Sequence, residues 1–430
     1  MGIFNRRYET LSKEEIEQIQ IERLTNTIEM VYKNDSFYQD EMKKRGINPK
    51  DIVELEHLRN IGFTTREDLS YNYPYGLFAV PLKDIVRINS VSGIKGKPTV
   101  IGYTKTDLRL WKELLSRLYV ATGVTANDIV QLSFVYGLAN WGRSMRVAAE
   151  NIEASVIPMS TLSPEKEVMI MSDYKTTCLV STPSSLLHLI ELLPDIDIKP
   201  KDLELKRGIL IAEFLSDQDR EKIKEMLKIE VSTAYGIPET MGPGIAYECK
   251  SGKLHIAEDN FIVEIIDPKT EKVLGLEEEG ELVISTITTK AYPLIRFKTG
   301  DISKIMSGDG CPCGRNLLTI EMPQKRTDDA LSIRGVKVYP SQIRKIITDN
   351  LKETPPCAII HRKVKELDEI DILIKGVQSL FSDEVKILEG VVSTIKDDLW
   401  EILGIRAMVK LVEHDTIKDA KKSDKCVAYF

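Results

Sequence analysis

The feature that most constrains the fold of this chain is a change of texture near residue 230. From Val86 to Leu210, short Val/Ile/Leu-rich runs such as DIVQLSF, ASVIPMS and TCLVSTP alternate with helix-patterned stretches such as TKTDLRLWKELLSRLYVATG. Apolar strands separated by helices predict a parallel sheet covered on both faces. After about Glu230 the runs KLHIAED, FIVEIID, GELVIST and LIRFKTGD are separated by Gly, Asp and Pro, which predicts a β-rich part with tight turns. The first ninety or so residues read as helical, with Ser12 opening LSKEEIEQIQIERLTNTIEMVYK, until Pro74 and Pro81 impose an extended loop. The last hundred residues run from the strand-like ALSIRGVKVYP through helix, two strands, helix and the strand AMVKLVE. The expected class is α/β. A large N-terminal domain (1–327) carries mostly parallel sheets, helices and the β-rich part, and a small α+β domain (328–430) has its own core.

At 430 residues, the chain is long enough for more than one core. A net charge of −7 gives no general attraction to nucleic acid or anionic membrane. No apolar run reaches the roughly 18 residues of a membrane span, and MGIFNRRYETLSKEEIEQIQ lacks a signal-peptide apolar region. Six cysteines are too sparse for a disulfide framework and fit a reducing compartment. The expectation is a cytoplasmic protein with neither nucleic-acid nor membrane partner.

Two constellations carry chemistry. NSVSGIKGKPTVIGYT sets Gly93 and Gly96 among Ser90, Ser92, Lys95 and Lys97, a composition that turns backbone N–H groups and ammonium charge toward an anion. Pro98 stands where a Walker loop has Ser or Thr, and a strand-like run follows instead of a helix. Cys249 and His255 flank a Ser-Gly turn, and Cys311 and Cys313 lie in a Gly-rich turn. Together they suit a closed tetrahedral zinc site, with free thiols as the alternative.

AYGIPETMGPG (234–244), FKTGD (297–301) and KRTDDALSIRG (325–335), in that order, resemble the nucleotide-binding core of adenylate-forming enzymes, closest to the phenylacetate–CoA ligase family. The resemblance implies ATP-dependent activation of a carboxylic acid through an acyl-AMP, then transfer to coenzyme A, with Mg²⁺ and a structural zinc. It implies that Ser92, Gly93, Gly96 and Lys97 hold phosphates. Ala212 and Glu213 match a GAEP segment, Tyr235 and Gly236 meet adenine, Asp301 and Arg326 take ribose or phosphate, and Glu239 binds magnesium as a catalytic acid. Asp328 marks the hinge of a mobile C-terminal lid, and Lys425, in a tail that otherwise reads as solvated, is matched to the adenylation lysine. Tyr136, Gly137, Trp141 and Arg146 are expected around the acid, which is aromatic by analogy. Family members are often dimers.

Departures from the family pattern fall at Ile94, Lys95, Ile211 and Pro238. They keep open two alternatives: an acceptor other than coenzyme A (a carrier-protein thiol or an amine), and a non-catalytic paralogue that binds nucleotide or acyl ligand.

Overall fold

The computed structural model describes residues 2–94, 97–134, 139–158, 163–364, 366–376, 385–423 and 425–430. Apolar runs without polar alternation have two faces to bury, and they meet in one nine-stranded sheet. Its parallel half orders Ser155–Ile157, Ile129–Leu132, Cys178–Ser181, Arg207–Leu210 and Glu230–Tyr235 side by side. From Glu230–Tyr235 the pairing turns antiparallel through Ala246–Glu248, Leu254–Ile256, Thr319–Ile320 and Ile305–Met306. The change of texture in the sequence is therefore a change of pairing inside a single sheet. A second, four-stranded antiparallel sheet holds Phe261–Ile266, Gly280–Thr286, Phe297–Ser303 and Lys325–Arg326.

The helices start where side chains satisfy their first N–H groups. Ser12 and Glu15 form a reciprocal capping box on Lys13–Asn34, and Thr104 and Asp107 do the same for Lys105–Ala121. The latter helix buries Trp111, Leu114, Leu115 and Leu118 in the main core. Among the described residues, no helix is long and apolar enough to cross a membrane.

Past Arg326 the chain leaves the large lobe, and residues from Ile333 onward form a separate core around Ile343, Ile347, Ile359, Ile372 and Leu399. ALSIRGVKVYP is a hairpin rather than one strand: Leu331–Ile333 pairs with Val336–Val338 across Arg334 and Gly335, both at positive φ. The tail also differs from its solvated expectation. His414–Lys421 is a helix with Ile417 wholly buried, and Cys426–Tyr429 pairs antiparallel with Cys357–Val364. Burial of one such isoleucine contributes about 2 kcal/mol, which outweighs the pull of the flanking lysines toward water.

Candidate active site

A cavity of about 800 Å³ opens between the lobes, at the carboxyl ends of the parallel strands Arg207–Leu210 and Glu230–Tyr235. That is where open parallel sheets offer a crevice to ligands. Ser92, Gly93, Lys97, Ala212, Glu213, Tyr235, Gly236, Glu239, Asp301, Arg326 and Trp141 all line it. Gly96, Tyr136 and Gly137, and Lys95 beside them, lie outside the described residues.

The segment around Gly93 connects the paired strands Arg87–Val91 and Thr99–Tyr103. It folds back so tightly that a Cβ on Gly93 would come within 2.1 Å of the Lys97 carbonyl oxygen, so glycine is required there. Lys97 is exposed, its Nζ 5.9 Å from the centre of the Tyr73 ring. Gly236 is also forced by its own surroundings. A Cβ there would lie 2.6 Å from the Cα atoms of Gly242 and Pro243, where the chain passes back over itself.

Asp301 is the centre of a closed polar network. Tyr235 donates its hydroxyl to Asp301 Oδ2 at 2.7 Å, and Arg326 Nη1 donates to Oδ1. Arg326 also grips Asp328 with Nε and Nη2, at 2.6 and 2.7 Å, and Tyr339 of the small lobe donates to the same carboxylate at 3.2 Å. Asp328 is thus tied to residues of both lobes. Glu213 accepts from the Ser184 N–H and hydroxyl at 2.9 and 2.8 Å, while burial raises its carboxyl above the ordinary value. Ala212 next to it sits at φ 73°. Ile211, a departure from the family pattern, is buried in the main core and does not line the cavity.

Glu239 is 3 % exposed and accepts from Arg66 Nε at 3.0 Å, leaving Oε2 without a partner. Burial pushes this carboxyl up, but Arg66, with Lys337 and Arg326 beyond it, outweighs that and holds it below its ordinary value. Arg66 also lies 3.5 Å from Asp328 and over the Phe297 ring, so one guanidinium joins the candidate magnesium ligand to Asp328. The free oxygen of Glu239 suits a cation such as Mg²⁺.

The other end of the cavity is aromatic. Tyr103 and Trp111 stack with centroids 5.0 Å apart, Trp111 donates to the Gly242 carbonyl at 3.2 Å, and Trp141 packs beside Gly242. Two of the expected residues stand outside the cavity in this structure. Arg146 does not line the cavity: it is exposed on its helix and pairs with Glu150 at 2.7 Å, one turn away, because its position faces solvent. Lys425 is exposed at the entry to the last strand, where its carbonyl accepts from the His361 N–H at 2.9 Å, and it does not reach the cavity in this arrangement of the lobes. Four residues escaped the sequence reading: Arg66, Tyr103, Trp111 and Lys337. Tyr103 stood in a motif, GYT, and its alternation in a strand beside the loop was a usable signal; Arg66 had none.

A second cluster stands apart. The ligand atoms of Cys249, His255, Cys311 and Cys313 all lie within 4.8 Å of one another. Cys249 and Cys311 sulfurs are 3.8 Å apart, and Cys313 Sγ is 3.4 Å from His255 Nε2. His255 Nδ1 meets the Leu317 carbonyl at 3.0 Å, which fixes the ring and leaves Nε2 facing the thiols. None of the four lines the cavity. Next to them the N-terminal segment is pinned by Arg315, whose Nε donates to the buried Glu9 at 2.8 Å.

These features define a class, the adenylate-forming enzymes. Residues 335–428 match the family model described as AMP-binding enzyme C-terminal domain. The solved 2-hydroxyisobutyryl-CoA ligase with 2-HIB-AMP and CoA, in the thioesterification state, matches at TM-score 0.88 and 22% identity, over 99% of this chain and 92% of that one. The same ligase in its postadenylation state matches at TM-score 0.69. Among curated proteins, phenylacetate–coenzyme A ligase of Pseudomonas putida is 36% identical over 95% of this chain and 93% of its own length. Its counterpart from Thermus thermophilus is 34% identical over 87% and 84%. This chain belongs to the phenylacetate–coenzyme A ligase family.

Proposed function

We propose that this enzyme is an AMP-forming acid–thiol ligase that activates an aromatic carboxylic acid, phenylacetate or a close relative, and transfers it to coenzyme A. The observation that carries this reading is the meeting, in one interlobe cavity, of the Tyr235–Asp301–Arg326 network, the free oxygen of Glu239 and the aromatic wall. In the first half-reaction the acid carboxylate attacks the α-phosphorus of ATP and pyrophosphate leaves. In the second, the thiol sulfur attacks the acyl carbon and AMP leaves with the phosphate oxygen.

No protein nucleophile is needed; positioning and charge complementarity lower the barrier. Asp301, oriented by Tyr235 and Arg326, accepts from the ribose hydroxyls. Backbone N–H groups near Ser92 and Gly93, with Lys97, hold the phosphates. Trp141, Tyr103 and Trp111 pack the acid and exclude water. Glu239 holds magnesium, which when bound neutralises phosphate charge. Cys249, His255, Cys311 and Cys313 hold a structural zinc, a closed S₃N set with no position left for substrate.

The higher similarity to the thioesterification state than to the postadenylation state supports reading this arrangement as the thioester-forming one. Adenylation by Lys425 then requires the small lobe to turn about Asp328. Six cysteines, none of them in a disulfide, support a reducing cytoplasm.

The test is pyrophosphate release with ATP and Mg²⁺ across aryl and short-chain acids, with and without coenzyme A. Release that depends on an aryl acid and rises with coenzyme A is expected. Release indifferent to coenzyme A would point to another acceptor, and silence across the panel would point to a ligand-binding paralogue.

A further inference from the structure

The charges at the lobe junction are not all neutralised. Arg66 pairs with Glu239 and lies near Asp328, and Arg326 pairs with Asp301 and Asp328. Each arginine is therefore held by carboxylates. Lys337 lines the same cavity, yet among the described residues no group lies within hydrogen-bond or ion-pair reach of its ammonium. Asp301 and Glu239 attract it from further off, and Arg66 and Arg326 repel it.

Local structure explains why a lysine points there. Val336 and Val338 send their side chains into the core of the small lobe, with Ile333 and Ile343. Alternation along the strand Val336–Val338 then turns Lys337 to the opposite face, toward the cavity. The hairpin holding it closes through Arg334 and Gly335, at φ 51° and 79°, a short turn that fixes the strand rigidly. Lys337 is half-buried with no contact partner for its ammonium, and the partial loss of water around it is a cost that lowers its pKa to about 8. It still carries its charge at neutral pH, and an anionic ligand would offset that cost.

We propose that Lys337 is the cation that the small lobe delivers to the phosphate of the bound acyl-adenylate, holding it and the departing AMP while the thiol attacks. The inference rests on the ligase reading above. AMP has one charged group, its phosphate; of the cavity cations that no carboxylate grips among the described residues, Lys97 sits exposed on the large lobe, and Lys337 is the one the small lobe carries. As the S–C bond forms and the C–O bond to phosphate breaks, the electron pair moves onto the phosphate oxygen and the thiol proton passes to solvent. The charge that grows on phosphate faces Lys337. Because Lys337 lies beyond the hinge at Asp328, it moves with the small lobe, whereas Asp301 and Glu239 stay with the large one. The residue is thereby assigned to thioester formation and not to adenylation.

The two half-reactions separate the outcomes. Adenylation is followed as pyrophosphate exchange with phenylacetate and ATP, and transfer as thioester formation from synthetic phenylacetyl-adenylate and coenzyme A. Lys337→Met should slow transfer by roughly 10²-fold and leave adenylation within about threefold of the parent, which also shows that the variant is folded. Lys337→Arg, which keeps the charge, should restore transfer to within about tenfold. Equal slowing of both half-reactions by Lys337→Met, or unchanged transfer, would overturn the assignment. So would a Lys337→Arg variant as slow as Lys337→Met, which would make the amine a proton acceptor for the thiol. Failure of the unaltered enzyme in both half-reactions would instead remove the ligase reading, and this proposal with it.

Discussion

The Cys/His cluster and the interlobe cavity are both built from polar side chains in a largely apolar fold, yet they are built in opposite ways. The cluster draws all four ligand atoms from one lobe, and the one ring among them is fixed by a backbone carbonyl. The cavity takes its walls from two lobes with separate cores and leaves Arg66 Nη2 and Glu239 Oε2 buried without partners. A site whose groups satisfy one another is finished before any substrate arrives. A site with unsatisfied atoms between two lobes is completed only by ligand and by lobe position, and buried polar atoms left in that state are costly enough to mark function.

That contrast can be broken by substitutions that act on one region and spare the other. The largest effect is expected for Glu239→Ala, which should reduce pyrophosphate exchange by about 10³-fold without lowering the melting temperature; unchanged exchange would remove Glu239 from the site. Arg66→Met comes next. It strands the Glu239 charge and removes one of the two guanidinium groups beside Asp328, so both half-reactions should fall by roughly tenfold or more and stability by about 3 kcal/mol. A loss confined to one half-reaction would show that Arg66 does not couple magnesium ligand and hinge.

Cys311→Ser should act on the other region. Its zinc content should drop below one per chain by elemental analysis, and the apparent melting temperature should fall by roughly 5 °C. Turnover at low temperature should stay within about twofold. Unaltered protein without zinc would end the structural-metal reading, and lost turnover at full stability would merge the two regions. The smallest effect is expected for Arg146→Ala. Exposed pairs contribute about 0.5 kcal/mol or less, so acid selectivity should not change; altered selectivity would restore Arg146 to the acid pocket.

The parts of the site that were legible in the sequence are contiguous backbone segments. AYGIPETMGPG, FKTGD and the loop around Gly93 owe their residues to local demands. Gly93 and Gly236, for example, have no room for a Cβ. The parts that were not legible are single side chains whose partners lie far along the chain. Arg66 meets Glu239 across the fold, and Asp301 is closed by Tyr235 and Arg326 from two other segments. Arg146 misled because its place in the helix fixes a direction that a motif match ignores. The tail misled because its lysines outnumber the few apolar residues, Ile417 foremost, that dock it to the small lobe.

The sequence by itself determined the α/β architecture, the phosphate-loop strands and the Cys/His set. Each follows from periodicity or from residues in one or two turns, interactions strong enough locally to survive any arrangement of the rest. Only the tertiary structure decided how the small lobe sits on the large one, and hence which cation faces the cavity. Lys337 lines it and Lys425 does not. The physical reason is that the small lobe has a core of its own, so which of its side chains face the junction depends on an orientation that no local pattern encodes.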